Sequence, residues 1–261
     1  MTTMGPPPEA AVAVSAPAKL TLSLRVTGVR ADGYHLLEAE MVSVDLADTL
    51  SFSAGDGLEV VVEGPARSSG FGAIPVDGSN LVSRALSLVG RAAHVHLVKR
   101  IPAGAGLGGG STDAAAVLRW AGFDRHDDLR AAGTLGSDVP FCLAGGGHAR
   151  VSGAGEILTP LSLADVAGRC YTLLVPPFGV STAAVYRAWD ALSGPVGDNF
   201  NDLEPAALTV EPRLAAWRDR LGNSTGEVPR LAGSGSTWFV AGAYPGGSRI
   251  VVRARPEVSP A

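Results

Sequence analysis

The chain has 261 residues, 46 % of them apolar and 18 % charged, a balance that excludes wholesale disorder and fits one or two globular domains. A net charge of −4 argues against a non-specific nucleic-acid binder, and no apolar run approaches the roughly 20 residues of a membrane span. Two cysteines, Cys142 and Cys170, supply neither a disulfide framework nor metal-ligand spacing; with no basic stretch ahead of the first apolar segment, the expected compartment is the cytoplasm.

Residues 1–10, with Pro6-Pro7-Pro8, read as a disordered leader. Leu20, Leu22, Leu24 and Val26 alternate between Lys19 and Thr27, which predicts a half-buried strand, closed by a turn at Asp32-Gly33. Strands follow over 37–46, 49–53 and 58–63, then a loop over 64–79. Asn80 is placed to cap a helix through NLVSRALSLVGR. Strand 93–100 feeds a glycine loop at 101–122, and a second loop, LGSDVPFCLAGGG, covers 135–147. Beyond it come strand 170–177, helix 181–192, short helical patterns at 202–208 and 211–221, a strand–glycine turn–strand over 230–243, and a closing strand at 248–255. Strands dominate the first half and mix with helices in the second, so the class is α+β. A boundary between two domains is expected near 155–160.

The glycine loop is the central feature. Gly104, Gly106, Gly108, Gly109 and Gly110 fall within seven residues, followed at once by Ser111, Thr112 and an alanine-rich segment. Five glycines let the backbone turn tightly and approach a ligand without β-carbons in the way. Ser111 or Thr112 is placed to cap the next helix, with Asp113 in its first turn, and free amides at a helix start attract phosphate. The alternative, a turn that binds nothing, suits one or two glycines better than five. No Gly-Lys-Ser/Thr closes the loop, so it is not a Walker A motif. Gly104, Gly106 and Gly109 formally satisfy G-x-G-x-x-G, but no βαβ series surrounds them. The His-Arg-Asp and Asp-Phe-Gly motifs of protein kinases are missing.

Of 21 basic side chains only Lys19 and Lys99 are lysine. Lysine is a compact charge where arginine is a planar fork, so at least one of the two is expected where a fork does not fit. His94 and His96 form an H-x-H pair on one strand face, read as solvent-facing rather than metal-binding. Cys142 reads as core in a buried strand, and Trp120, Trp189, Trp217 and Trp238 read as packing. His126 and His148 carry no readable signal.

The segments PAKLTLSLRVTGVRADGYHLLE, IPAGAGLGGGSTDAAAVL, LGSDVPF, GEILTP, NDLEP and LAGSGSTWFV occur in this order over about residues 15–242. Together they resemble the galactokinase, homoserine kinase, mevalonate kinase and phosphomevalonate kinase (GHMP) superfamily. DGYH and GSDVPF point within it to the branch whose acceptor is a cytidine diphosphate-linked methylerythritol. The resemblance implies a two-domain α+β fold, 10–158 and 159–261, with the active site in the cleft between them. It implies ATP and Mg²⁺, a small-molecule acceptor phosphorylated on its 2-hydroxyl in the non-mevalonate isoprenoid pathway, and neither nucleic-acid nor membrane partners.

By the same resemblance Asp138 is the general base and Lys19 its neighbour, a charge that keeps the carboxylate ionised and eases removal of the hydroxyl proton. Taken alone, Asp138 fits an Asx-type turn equally well, and Lys19 a snorkelling edge lysine. The ATP set is Pro102, Ala103, Gly104, Ala105, Gly106, Leu107, Gly108, Gly109, Gly110, Ser111 and Thr112, with Asn80 and Lys99. The acceptor set is Thr21, Tyr34, His35, Thr182, Tyr186 and Gly235, in which Tyr34 and Tyr186 sandwich the base and His35 reads its edge. Position 21 carries Thr where the family carries Asn. Alternatives are a sibling kinase of the homoserine or mevalonate type, and a trimmed, non-catalytic nucleotide-binding paralogue.

Overall fold

A computed structural model describes residues 12–68, 73–123 and 128–255; the expected leader and His126 lie outside these. Strands β1 (Val12–Val29) and β2 (His35–Ser53) are long antiparallel partners, from Val12 opposite Phe52 to Val29 opposite His35. β2 is one strand where the sequence suggested two. Asp48, in the gap between the two expected strands, is extended, and its carboxylate accepts from the backbone amides of Arg100 and Ile101. β1 covers one edge of β2. The other edge is shared, β4 (His94–Lys99) pairing with Thr49–Ser53 and β5 (His148–Gly153) with Leu37–Val42. Strand β3 (Leu58–Val62) runs parallel to β4, and β6 (Ile157–Pro160) antiparallel to β5, completing a six-stranded sheet among the described residues.

A short helix α1 (Gly64–Ser68) occupies part of the expected 64–79 loop. Helix α2 (Leu81–Val89) starts where expected: the Asn80 side chain accepts from the Val82 amide, and Gly90 closes the helix in the left-handed region. It packs on α3 (Gly109–Trp120), which lies over β1 and α5 (Val139–Leu143). Helix α4 (Asp128–Gly133) lies between α3 and α5 in the chain. Cys142 is core, as expected, but in helix α5 rather than a strand, since Pro140 is tolerated in a first turn.

After Pro160 the chain leaves this sheet for a four-stranded one. Its order is β10 (Arg249–Arg253), β7 (Cys170–Leu174), β9 (Trp238–Ala241), β8 (Arg230–Leu231). Helices α6 (Thr182–Ala191), α7 (Glu204–Val210) and α8 (Leu214–Thr225) lie between β7 and β8 in the chain. The expected boundary at 158/159 falls within β6, and the passage between sheets comes at 160–170. One hydrophobic cluster joins Leu24, Leu50 and Phe141 of the first half to Leu174, Leu203 and Trp238 of the second. Another joins Leu20, Val42 and Leu107 to Leu173 and Phe239. No helix among the described residues is long and apolar enough to cross a membrane.

The NDLEP segment staples the two halves together. Asp202 is buried, and its carboxylate accepts from Arg25 (2.6 Å) and from the amides of Val26 (3.0 Å) and Gly197 (3.1 Å). The Leu24 amide donates to the Phe200 carbonyl and the Asp202 amide to the Leu24 carbonyl.

Candidate active site

β1 alternation carries Lys19 and Thr21 to the face opposite Leu20. Lys19 is 4 % exposed; its Nζ stands 3.2 Å from Asp138 Oδ2 and donates to Thr21 Oγ1 at 3.1 Å. Thr21 therefore holds the lysine by its hydroxyl. Asp138 occupies the cap position of α5, yet its side chain caps nothing and is directed at Lys19. The simple turn role considered for it is thereby excluded. The loop before it is fixed from behind by Gly155, where any β-carbon would collide with the Ser137 carbonyl. Burial, and next the Asp138 charge, push the Cys142 thiol up to about 12, so that thiol is inert beside the pair.

Three glycine segments converge on Lys19. The Lys19 amide donates to the Leu107 carbonyl (3.1 Å), and the lysine stem packs where Gly108 (φ +70°) has no β-carbon; one added there would lie 2.7 Å from Lys19 Cγ. From the third turn, a β-carbon on Gly233 would lie 3.6 Å from Nζ. This turn also clamps the first loop: the Thr237 amide and hydroxyl both donate to the Ala105 carbonyl, at 3.2 and 2.6 Å. Asn201 in turn donates to the carbonyls of Leu231 (2.9 Å) and Gly233 (2.7 Å). A cavity of about 160 Å³ is left, lined by Lys19, Thr21, Gly106, Gly108, Asp138 and Tyr186, with Thr182 and Ser234 sharing a 2.9 Å hydrogen bond at its side.

Helix α3 begins at Gly109 with Gly108 as its cap residue and no side-chain cap, so Ser111 and Thr112 do not cap it. The helix starts within the glycines, its cap at Gly108 lying three residues before Ser111 and four before Thr112. The amides of Gly109, Gly110 and Ser111 thus lie in a first turn without helical acceptors, a cradle for anionic oxygen. Ala103, Gly104, Gly106, Gly108, Gly110 and Ser111 are at least partly exposed, whereas Pro102, Ala105, Leu107, Gly109 and Thr112 are buried. The buried five offer backbone at most, and Ala105 and Leu107 belong to the core.

Two expected nucleotide contacts are reassigned. Asn80 has both ends of its amide committed, to the Val82 amide and the Pro75 carbonyl (2.7 Å). Lys99 is 3 % exposed and lies beneath the loop, paired with Asp48 and, at 2.7 Å, with Asp113. A β-carbon on Gly109 would lie 2.7 Å from its Nζ. Its ammonium supports the loop from inside, and Asp113 is the inner partner rather than a first-turn surface acid. Burial acts against the Lys99 charge, but Asp113 and Asp48 outweigh it and leave its pKa raised. Burial also pushes the Asp113 carboxyl up to about 7, opposed by Lys99 and reinforced by Asp48.

Among the residues expected to meet the acceptor, Tyr186 lines the cavity and packs against His35, ring centroids 4.6 Å apart. His35 Nε2 is bonded to Asp190 Oδ1 at 2.8 Å, and Trp189 meets the imidazole edge-on at 5.6 Å. Tyr34 is 47 % exposed, with Arg30 over its ring, so the pair in contact is Tyr186–His35 rather than Tyr186–Tyr34. Burial, then the nearby Asp138 and Tyr34, raise the Tyr186 hydroxyl pKa. Gly235 faces the Gly106 backbone, while Gly233 and Ser234 of the same turn reach the cavity. The sequence reading missed Asp190, Asn201 and Asp48; Trp189 packs against the core, as read, and also meets the His35 ring. No group of three or more His, Cys, Asp or Glu that could hold a metal occurs among the described residues.

Comparison with known proteins agrees with this geometry. A profile of the GHMP kinases N terminal domain matches residues 80–146, the span from the Asn80 cap to the second glycine loop. A 4-diphosphocytidyl-2-C-methyl-D-erythritol kinase of Paramagnetospirillum magneticum is 37 % identical over 260 residues, covering 87 % of each chain. One from Paracoccus denitrificans is 39 % identical over 244 residues, covering 86 % of this chain and 85 % of that protein. The crystal structure of a 4-(cytidine 5'-diphospho)-2C-methyl-D-erythritol kinase aligns at a TM-score of 0.64 and 33 % identity, over 87 % of this chain and 89 % of that one. A mevalonate kinase crystal structure, at 12 % identity and a TM-score of 0.56, shares the fold alone. With an α+β GHMP fold and relatives of this identity along most of its length, the chain belongs to the 4-diphosphocytidyl-2-C-methyl-D-erythritol kinase family.

Proposed function

We propose that this protein transfers the γ-phosphoryl group of ATP to the 2-hydroxyl of 4-diphosphocytidyl-2-C-methyl-D-erythritol, a step of the non-mevalonate route to isoprenoid precursors. The observation that carries the reading is the Lys19–Asp138 pair, 3.2 Å apart, on the wall of a cavity bounded by the glycine loop on one side and Tyr186 on the other. Phosphoryl transfer asks mainly for alignment and charge stabilisation. The acceptor hydroxyl oxygen attacks phosphorus, its proton passes to the Asp138 carboxylate, and ADP leaves. Asp138 is 27 % exposed at its side chain, open enough to meet a hydroxyl, while Lys19 is shielded. Lys19 holds Asp138 in place and offers positive charge to the transferring group.

The first-turn amides at Gly109, Gly110 and Ser111 are the natural holders of the ATP phosphates. Ser111 and the phosphates themselves fit Mg²⁺, a hard cation that prefers oxygen ligands and keeps several waters. Bound there, it would neutralise phosphate charge. Thr182, Ser234 and Thr21 offer hydroxyls to the polyol, and Tyr186, His35 and Tyr34 offer faces and an edge to cytosine. We assign the reaction to the cytoplasm, among free metabolites. The test is ADP release by the purified chain with ATP, with and without the acceptor. Turnover that requires this acceptor supports the reading; turnover with homoserine or mevalonate instead would replace it with a sibling activity.

A further inference from the structure

β1 separates two cavities. A register shift between Thr21 and Ser23 turns Leu22 and Ser23 to the side opposite the catalytic cavity, while Thr21 and Leu24 face it. Behind β1 lies a larger cleft of about 770 Å³, between the β1–β2–β5 part of the first sheet and the β7–β9–β8 part of the second. It shares no lining residue with the catalytic cavity.

Its chemistry is specific. Tyr171 is 5 % exposed and lines the cleft, yet its hydroxyl has no hydrogen-bond partner among the described residues. Arg169 and Arg230 line the same cleft and have no carboxylate partner among the described residues. Arg169 and Arg230 both act electrostatically on the Tyr171 hydroxyl, against the burial that raises its pKa, while Glu40 acts in the same sense as burial. The acids of the lining are largely engaged: Glu40 with His148 at 2.8 Å, and Glu227 with the Tyr244 hydroxyl at 2.7 Å. Asp165 remains at the rim. Arg230 covers one face of Phe200, centroid distance 4.5 Å, and the ring is nonetheless 51 % exposed. Phe200 is held at φ +62°, a conformation a bulky residue avoids unless its surroundings impose it.

We propose that this cleft is a second ligand site, for a small phosphate monoester bearing a flat ring, its phosphate held by Arg169, Arg230 and the Tyr171 hydroxyl and its ring on Phe200. Arginine forks suit phosphate oxygens, and an unpartnered phenol in the same cleft supplies a further donor.

The test is calorimetric titration of phenyl phosphate, and separately of inorganic phosphate, into the full chain saturated with ADP and CDP. One equivalent of phenyl phosphate is expected, at least about threefold tighter than inorganic phosphate. Arg169→Ala and Arg230→Ala should each weaken it about tenfold, and Phe200→Ala should erase the advantage of the ring. Absence of this equivalent, or affinities unchanged in both arginine variants, overturns the proposal. Arg169 is exposed, so Arg169→Ala is expected to fold and decides alone if Arg230→Ala does not. Assigning the site by arginine variants does not depend on which nucleotide fills the front cavity.

Discussion

Gly106 of the first glycine loop lies against the backbone of Gly235 in the third: a β-carbon built on Gly106 would stand 2.5 Å from the Gly235 carbonyl oxygen and 2.7 Å from that of Ala232. Two phosphate-loop-like turns thus meet backbone to backbone, and the glycine at 106 serves the protein as well as any ligand.

Gly106→Ala therefore adds a clash and an unfavourable φ of +78° together. It should lower stability by about 2 kcal/mol or more and weaken ADP binding. Gly110→Ala is the contrast, because its β-carbon would meet only the movable end of Leu81 at 3.2 Å. That variant should stay within about 1 kcal/mol of wild type. Urea unfolding of both variants checks the difference, and equal losses would refute it.

Asp138→Asn should cut turnover about 10²–10⁴-fold while nucleotide binding and melting temperature persist. Lys19→Arg should be nearly as damaging as Lys19→Ala. The stem lies on Gly108, Nζ is held at 3.1 Å by Thr21 and 3.2 Å by Asp138, and even a β-carbon on Gly233 would come within 3.6 Å of it, leaving little room for a fork. Steady-state kinetics of the three variants decide it; substantial activity in Lys19→Arg would mean that charge alone suffices.

The buried cluster of Lys99, Asp48 and Asp113 predicts a pH dependence of stability. With the Asp113 carboxyl pushed up from 3.8 to about 7, the folded protein keeps a proton that the unfolded chain releases across that window. This group's contribution is therefore largest below pH 3.8 and is lost as pH rises to about 7. Asp113→Asn removes that slope, so its stability relative to wild type should improve between pH 5 and 7.5. Asp48→Ala strips Lys99 of a partner and orphans two amides, and should cost about 3–5 kcal/mol. Denaturant curves at the two pH values measure both effects; parallel wild-type and Asp113→Asn profiles would contradict the first.

Asp190 fixes His35 through Nε2, which leaves the other ring nitrogen free to read a base edge. Wild type is expected to bind CDP more tightly than UDP. Tyr186→Ala should weaken both, by the loss of a stacking face, whereas His35→Ala and Asp190→Ala should chiefly erase the preference. Calorimetry with the two diphosphates is the check. No preference in wild type would remove the support for a cytidine-bearing acceptor.

Local signals were legible wherever one short segment carries them. The Asn80 cap, the strand ahead of the glycine loop and the turn at Asp32-Gly33 all follow from neighbouring residues. Lys99, expected at the nucleotide, carried a local signal that the expectation passed over. HVHLVK alternates, with Val95, Leu97 and Lys99 on the buried face and His94 and His96 outward, so the pattern itself placed Lys99 inside. What the chain did not announce were partners far apart in sequence. Nothing near Asp48 signals Lys99, and nothing near Asp190 signals His35. The start of α3 was misplaced because a side-chain cap was expected where glycines in left-handed conformation begin the helix unaided.

Both lysines of this protein are interior, at 4 % and 3 % exposure, and every other basic side chain apart from histidine is an arginine. Its folded surface is consequently almost blind to amine-directed chemistry. An acylating reagent that spares arginine would find side-chain amines only at the Lys19–Asp138 pair and beneath the glycine loop. Acylation of Lys19 in the native protein would then act as a clock for opening of the cavity it lines, and acylation of Lys99 as one for unfolding of the loop's support.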